Sequence, residues 1–159
     1  MTTLYVLVGV PGSGKTTWVG HQKVDWDTTI WTSTDKFVEQ YAKSVGKTYN
    51  EVFDYVMPFA VEQMANEVRR AFNNNKTVIW DQTSTTVSSR AKKLRMVPEF
   101  YKKIAVVFET PDPATHEKFL NRPGKIVPMD VVQQMINNWE EPTLEEGFDE
   151  IRKIRMQGI

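Results

Sequence analysis

Gly9-Val10-Pro11-Gly12-Ser13-Gly14-Lys15-Thr16 is the stretch from which the fold is read. It fills every fixed position of the pattern G-x-x-x-x-G-K-[ST], and its context agrees. The residues before it, Leu4–Val8 (LYVLV), form a continuous apolar run suited to a strand buried on both faces. The residues after it, from Lys15 to Gln22, read as a short helix. In such a turn the glycines let backbone N–H groups wrap around an anion. The helix N-terminus adds positive partial charge at the same place. Lys15 brings a full positive charge to the β- and γ-phosphates of a bound triphosphate. Thr16 brings a hydroxyl for Mg²⁺, which prefers oxygen ligands and keeps several waters. A plain strand-to-helix turn has no packing use for Lys and Thr directly after its last glycine. The stretch therefore predicts binding of a nucleoside triphosphate with Mg²⁺. It leaves open whether that triphosphate is hydrolysed, transferred or only held.

Outward from the cradle, strands and helices alternate. Thr28–Thr32 (TTIWT) reads as a second strand and Asp35–Ala42 as a helix. Ser44–Tyr49 (SVGKTY) reads as a loop. A helix starting at Pro58 runs with helical apolar spacing to Phe72 and stops at Asn73-Asn74-Asn75. Thr77–Trp80 is a third strand ending at Asp81, followed by a helix over Val87–Val97 that closes before Pro98. Ile104–Glu109 is a fourth strand, and Asp112-Pro113 caps and opens a helix to Leu120. Asn121–Val127 is a basic loop, Asp130–Trp139 a further helix, and Glu140–Glu150 an acidic segment before Ile151–Met156. The alternation predicts an α/β domain with a mostly parallel sheet flanked by helices. Such sheets bind ligands beyond the carboxyl ends of their strands, where the cradle, Asp35 and Asp81 would meet.

Composition narrows the classes. At 159 residues the chain is expected to be one domain, spanning 1–159. Aromatic residues make up 11% and Lys+Arg equals Asp+Glu at 20 each, a balance that argues against disorder. With no cysteine there is no thiolate metal site and no cysteine nucleophile. His21 and His116 are far apart in sequence, so a histidine-rich metal site is not expected. No apolar run reaches the ~18 residues of a membrane helix, and the N-terminus lacks the basic region and small-residue cleavage site of a signal peptide. A cytoplasmic location and no membrane partner are the expectation. Zero net charge removes any global basic excess for nucleic-acid binding, so such binding must rest on a local patch.

Asp35, just after strand two in Thr32-Ser33-Thr34-Asp35, is the candidate general base toward a hydroxyl acceptor. Its alternative is a helix N-cap, a role open to Thr34 or Asp35. Asp81 is the candidate Mg²⁺ carboxylate, its alternative a strand-end turn residue. Lys118, Arg122 and Lys125 surround Asn121-Arg122-Pro123-Gly124 and fit a mobile basic lid over the phosphates. Lys118 and Arg122 are four apart and share a face if the helix continues through them. The run Arg90-Ala91-Lys92-Lys93-Leu94-Arg95 could track a phosphate backbone or be a solvated helix face. Trp18, Trp26, Trp31 and Trp80 read as packing residues before stacking platforms.

Read together, the chain resembles the kinase domain of polynucleotide 5′-kinases, as found in phage and animal end-healing enzymes. The resemblance rests on GVPGSGKTTW, TSTDKF, VIWDQTSTTVSSRAKKL, the lid-like NRPGKIVP and the closing WEEPTLEEGFDEI, and so spans nearly the whole chain. It implies a P-loop kinase fold with a parallel four-stranded sheet ordered 2-3-1-4 and a small basic lid. It implies triphosphate contacts from Gly12, Ser13, Gly14, Lys15, Thr16 and Thr17, with Lys118 and Arg122 from the lid. It implies metal contacts from Thr16 and Asp81, with Lys15, Asp35 and Arg122 as the catalytic set. ATP and Mg²⁺ are the implied cofactors and a DNA or RNA hydroxyl, foremost a 5′ end, the implied acceptor. One departure stands out: the arginines that phage enzymes carry just before the base and three residues after it are here Thr34 and Val38. Arg90 or Lys93 could hold the acceptor's phosphate instead. A 5-hydroxymethyluracil base within DNA, a nucleoside or sugar, and a non-catalytic ATP-binding module are the alternatives. The oligomeric state is not encoded in any of these patterns.

Overall fold

The computed structural model describes residues 2–155. Five strands form one parallel sheet in the order β2 (Thr29–Thr32), β3 (Thr77–Asp81), β1 (Thr3–Val8), β4 (Lys102–Phe108) and β7 (Glu150–Ile154). The expected order 2-3-1-4 holds, and β7 adds a fifth strand beside β4. The sequence GFDEIRKI carries little apolar signal because β7 is an edge strand. Ile151 and Ile154 turn partly inward, while Arg152 and Lys153 stay exposed. Of the stretch Ile151–Met156, Met156 lies outside the described residues.

Alternation along the strands builds two cores. Leu4, Val6 and Val8 of β1, Val78 and Trp80 of β3, and Ala105 and Val107 of β4 face one side. There they pack on Met64, Val68 and Phe72 of the long helix α3 (Tyr49–Asn73) and on Phe148. Leu7, Ile79, Ile104, Val106 and Phe108 face the other, against Val19 and Trp18 of α1 (Lys15–Gly20). α2 (Thr34–Ser44) lies along the N-terminal half of α3, burying Val38 and Ala42 against Val52, Val56 and Ala60.

The helix expected from Pro58 starts at Tyr49 instead, with Pro58 in its interior. A capping box fixes the true start. Thr48 Oγ1 accepts from Glu51 N, and Glu51 accepts from Thr48 N at 2.9 Å. Burial of Val52, Val56 and Ala60 carries the helix across the proline, which sits on the exposed face. The loop Asn121–Val127 is a small hairpin of β5 (Asn121–Arg122) and β6 (Lys125–Ile126). It follows α5 (Pro113–Leu120) and leads to α6 (Met129–Asn137). α4 (Val87–Leu94) ends three residues short of the expected Val97.

Candidate active site

The cradle runs from β1 into α1. Gly12 and Gly14 hold φ of 75° and 95°, backbone that disfavours any side chain. At Gly12 an added Cβ would also meet Leu120, His116 and Phe119 of α5 at 3.1–3.3 Å. His116 is buried, and its Nε2 lies 2.6 Å from the Pro11 carbonyl. α5 is thus packed directly on the cradle. Ser13 Oγ is buried and meets no hydrogen-bond partner, a polar atom left over in a loop shaped for an anion.

Lys15 folds back over the loop, donating from Nζ to the Gly9 carbonyl at 2.7 Å. Burial pulls its ammonium down to about 8, against the opposing pull of Asp81 and then Asp35. A lysine held this way gains from a polyphosphate that restores its charge. Asp81 ends β3, where burial pushes its carboxyl up, with Lys15 and the indole of Trp31 opposing. Trp31 Nε1 donates to Asp81 Oδ2 at 3.0 Å, so Trp31 orients this carboxylate as well as packing. Thr16 is exposed at the start of α1. Among the described residues no group of three or more His, Cys, Asp or Glu converges. One hydroxyl, one carboxylate and substrate phosphates form the donor set that suits Mg²⁺, which is seldom held by an all-protein cage. Thr16 and Asp81 would hold it, and the ion would supply charge neutralisation on the phosphates.

Asp35 is not the cap of its helix. Ser33 is, accepting from Lys36 N at 3.0 Å. The Asp35 side chain remains half exposed and takes partners from two distant segments. Tyr49 donates its hydroxyl to Oδ1 at 2.6 Å, and Lys125 of the hairpin approaches Oδ2 at 3.3 Å. Lys125 also bonds Glu39, one turn along α2, at 2.7 Å and lies over the Tyr49 ring. Burial and the Asp35 charge push the Tyr49 phenol far up, so it stays a donor. The hairpin is fastened to α3 by Asn50, whose side chain bonds both N and O of Ile126 and whose N–H donates to the Gly124 carbonyl.

Lys15, Asp81, Asp35 and Lys125 influence one another electrostatically and so share one site. Arg122 is exposed on the hairpin and its charge is felt at Tyr49. Lys118 is exposed on α5, but that helix stops at Leu120, so Lys118 and Arg122 do not share a helical face. Thr17 is exposed on α1. Tyr49, Glu39 and the pairing of Lys125 with Asp35 were missed by sequence reasoning. The Thr48-x-x-Glu51 capping pattern was the signal available for Tyr49, since it puts that residue at a helix start.

Arg90 and Lys93 need correction as acceptor contacts. Arg90 is fully buried. It donates to both carboxylate oxygens of Glu146 at 2.8 and 3.3 Å and to the carbonyls of Ser84 and Glu140 at 2.9 Å. Lys93 is buried over the Trp80 ring, and burial pulls it down to about 8. Both lie on the core side of α4 and present no free charge to a ligand. Arg90 explains much of the closing WEEPTLEEGF: Glu140 and Glu146 serve as its anchors, and Glu140 also accepts from Val87 N. Val38 is core and Thr34 is buried, so α2 offers no cation at either position. Lys36 is tied to Glu67 at 3.0 Å.

Solved structures share this architecture. One from the PezAT chromosomal toxin–antitoxin system of Streptococcus pneumoniae is 18% identical with a TM-score of 0.71, over 98% of this chain and 67% of that one. One from the Pnkp1/Rnl/Hen1 RNA repair complex is 20% identical with a TM-score of 0.61, over 86% of this chain and 43% of that one. A gluconokinase from Sinorhizobium meliloti 1021 is 18% identical with a TM-score of 0.53, over 96% of this chain and 82% of that one. A second structure of a Pnkp1/Rnl/Hen1 complex is matched over only 36% of its length, so this chain spans less than half of each of these two chains. These likenesses carry the fold alone: a parallel sheet flanked by helices. A family model of the AAA domain matches residues 4–142, from β1 through α6 and short of β7. With its intact phosphate cradle, the chain belongs to that AAA-domain family.

Proposed function

We propose that the chain transfers the γ-phosphoryl group of ATP, with Mg²⁺, to a hydroxyl on nucleic acid, foremost the 5′-OH of a DNA or RNA end. The observation that carries the reading is Asp35: a carboxylate released from helix capping, half exposed, and within electrostatic reach of the cradle lysine. Phosphoryl transfer asks the protein mainly for positioning and charge stabilisation. Lys15 and the cradle hold the β- and γ-phosphates. Asp35 takes the proton of the acceptor hydroxyl, whose oxygen bonds to the γ-phosphorus as the bond to the β-phosphate oxygen breaks and ADP leaves. Arg122, on the hairpin whose Lys125 reaches Asp35, neutralises charge on the group in transit. The likeness to an RNA-repair structure supports a nucleic-acid acceptor.

One observation favours a second reading. Arg90 and Lys93 are buried and Val38 is in the core, so the positions expected to hold an acceptor's phosphate are withdrawn from it, which suits a small hydroxyl-bearing acceptor such as a nucleoside or sugar. The test is labelled ATP with 5′-OH DNA and RNA oligonucleotides, duplexes containing 5-hydroxymethyluracil, nucleosides and sugar acids. Label on 5′ ends is the expected result. Label confined to modified duplexes or small molecules moves the acceptor to that class. Label on none of them, from folded protein that binds ATP, leaves a nucleotide-dependent binding module.

A further inference from the structure

We propose that Tyr49 is a positioning residue that makes Oδ2 of Asp35 the proton-accepting atom, with Glu39 holding Lys125 aside when the acceptor enters. The inference rests on the reading of Asp35 as general base and deepens it.

A carboxylate has two oxygens, and the structure treats them differently. Oδ1 accepts from the Tyr49 hydroxyl at 2.6 Å, the short distance of a charge-assisted O–H···O⁻ bond. The phenol is half-buried at the first turn of α3, where the Thr48–Glu51 capping box fixes the backbone. Its proton is secure, because burial and the adjacent carboxylate both oppose ionisation. Tyr49 therefore cannot compete as a base and does not leave Oδ1. Among the described residues Oδ2 meets Lys125 alone, at 3.3 Å, whereas Lys125 bonds Glu39 at 2.7 Å. The ammonium is bound more closely to Glu39 than to the base. An entering hydroxyl can take the Oδ2 position while Lys125 keeps its shorter bond and its seat over the Tyr49 ring, 4.6 Å from the centroid. One oxygen is held and the other is exchangeable. The hydroxyl proton then passes to Oδ2, and Tyr49 still donates to Oδ1 of the resulting carboxylic acid.

Tyr49→Phe keeps the ring and its packing and removes only the hydroxyl. Loss of one hydrogen bond to a charged group predicts a fall in kcat of about 10–100-fold, with KM for ATP unchanged and no further loss when combined with Asp35→Asn. Glu39→Gln, at an exposed position, leaves Lys125 with Asp35 alone and raises KM for the acceptor while sparing KM for ATP. An acceptor-free readout is the carboxyl ¹³C resonance of Asp35, which moves in Tyr49→Phe if the bond exists in solution. Full activity of Tyr49→Phe beside an inactive Asp35→Asn, or an unmoved resonance, overturns the inference and leaves the proposed function standing. Full activity of Asp35→Asn overturns both.

Discussion

Lys15 sits in surroundings that oppose its charge. Folded and without nucleotide, it and Lys93 lie near 8, against an ordinary 10.5. Between those values the unfolded chain binds more protons than the folded one, so stability rises with pH from about 8 toward 10. Thermal unfolding without nucleotide between pH 7.5 and 9.5 should show a rising Tm, and a flat or falling one contradicts the burial of these ammonium groups. Phosphates favour the charged form of Lys15, so ATP binding should take up protons and weaken as pH climbs past 8, which calorimetry in buffers of different ionisation heat will read. Lys93 has no ligand to compensate it. Lys93→Met keeps the bulk, removes the desolvated charge, and should raise Tm while leaving transfer intact. Loss of transfer to oligonucleotides would instead return Lys93 to the acceptor site.

At the scale of elements, two contacts join segments remote in sequence. The first is Arg90 of α4, which anchors the turn Leu144–Glu146 through Glu146. Removing one partner of a buried ion pair typically costs about 3–5 kcal/mol, so Arg90→Ala should show that loss in urea unfolding. A change below about 1 kcal/mol contradicts a structural role. The second is the packing of α5 on the cradle at Gly12. Gly12→Ala meets both a positive φ and three side chains of α5, so ATP affinity should drop sharply in a variant that still folds. The cradle was legible in the sequence because its chemistry is local: eight adjacent residues carry the whole pattern. Asp35 and Asp81 were legible because strand ends point to the ligand edge. Arg90 was misread because an eight-residue helix with a basic run does not disclose which of its cations faces the core. The partners of Asp35 lie 14 and 90 residues away, and no local pattern encodes such a meeting. The strand β7 escaped notice because an edge strand needs few apolar residues.

For the whole molecule, neutrality is the governing fact. Formal net charge is +0, and among the described residues no helix is long and apolar enough to cross a membrane. With Arg90 and Lys93 buried and no cation at positions 34 and 38, a polynucleotide acceptor is expected to make few phosphate contacts at the site. Few phosphate contacts mean a shallow salt dependence, with a slope in log K against log salt of about −0.7 per contact on a single strand. Binding of a 5′-OH oligonucleotide measured between 50 and 200 mM salt should give a slope of only one or two contacts. A slope of six or more contacts contradicts this.

As the proposed general base, the Asp35 carboxylate stands opposite the terminal phosphorus of a bound triphosphate with an alcohol between them. The most direct measurement is a crystal structure with a non-hydrolysable ATP analogue, Mg²⁺ and a 5′-OH oligonucleotide. Oδ2 is expected within about 2.6–3.2 Å of the acceptor hydroxyl, with that hydroxyl oxygen facing the γ-phosphorus and Oδ1 still on Tyr49. A complex in which the nucleotide fills the cradle while Asp35 turns away from the γ-phosphate contradicts it.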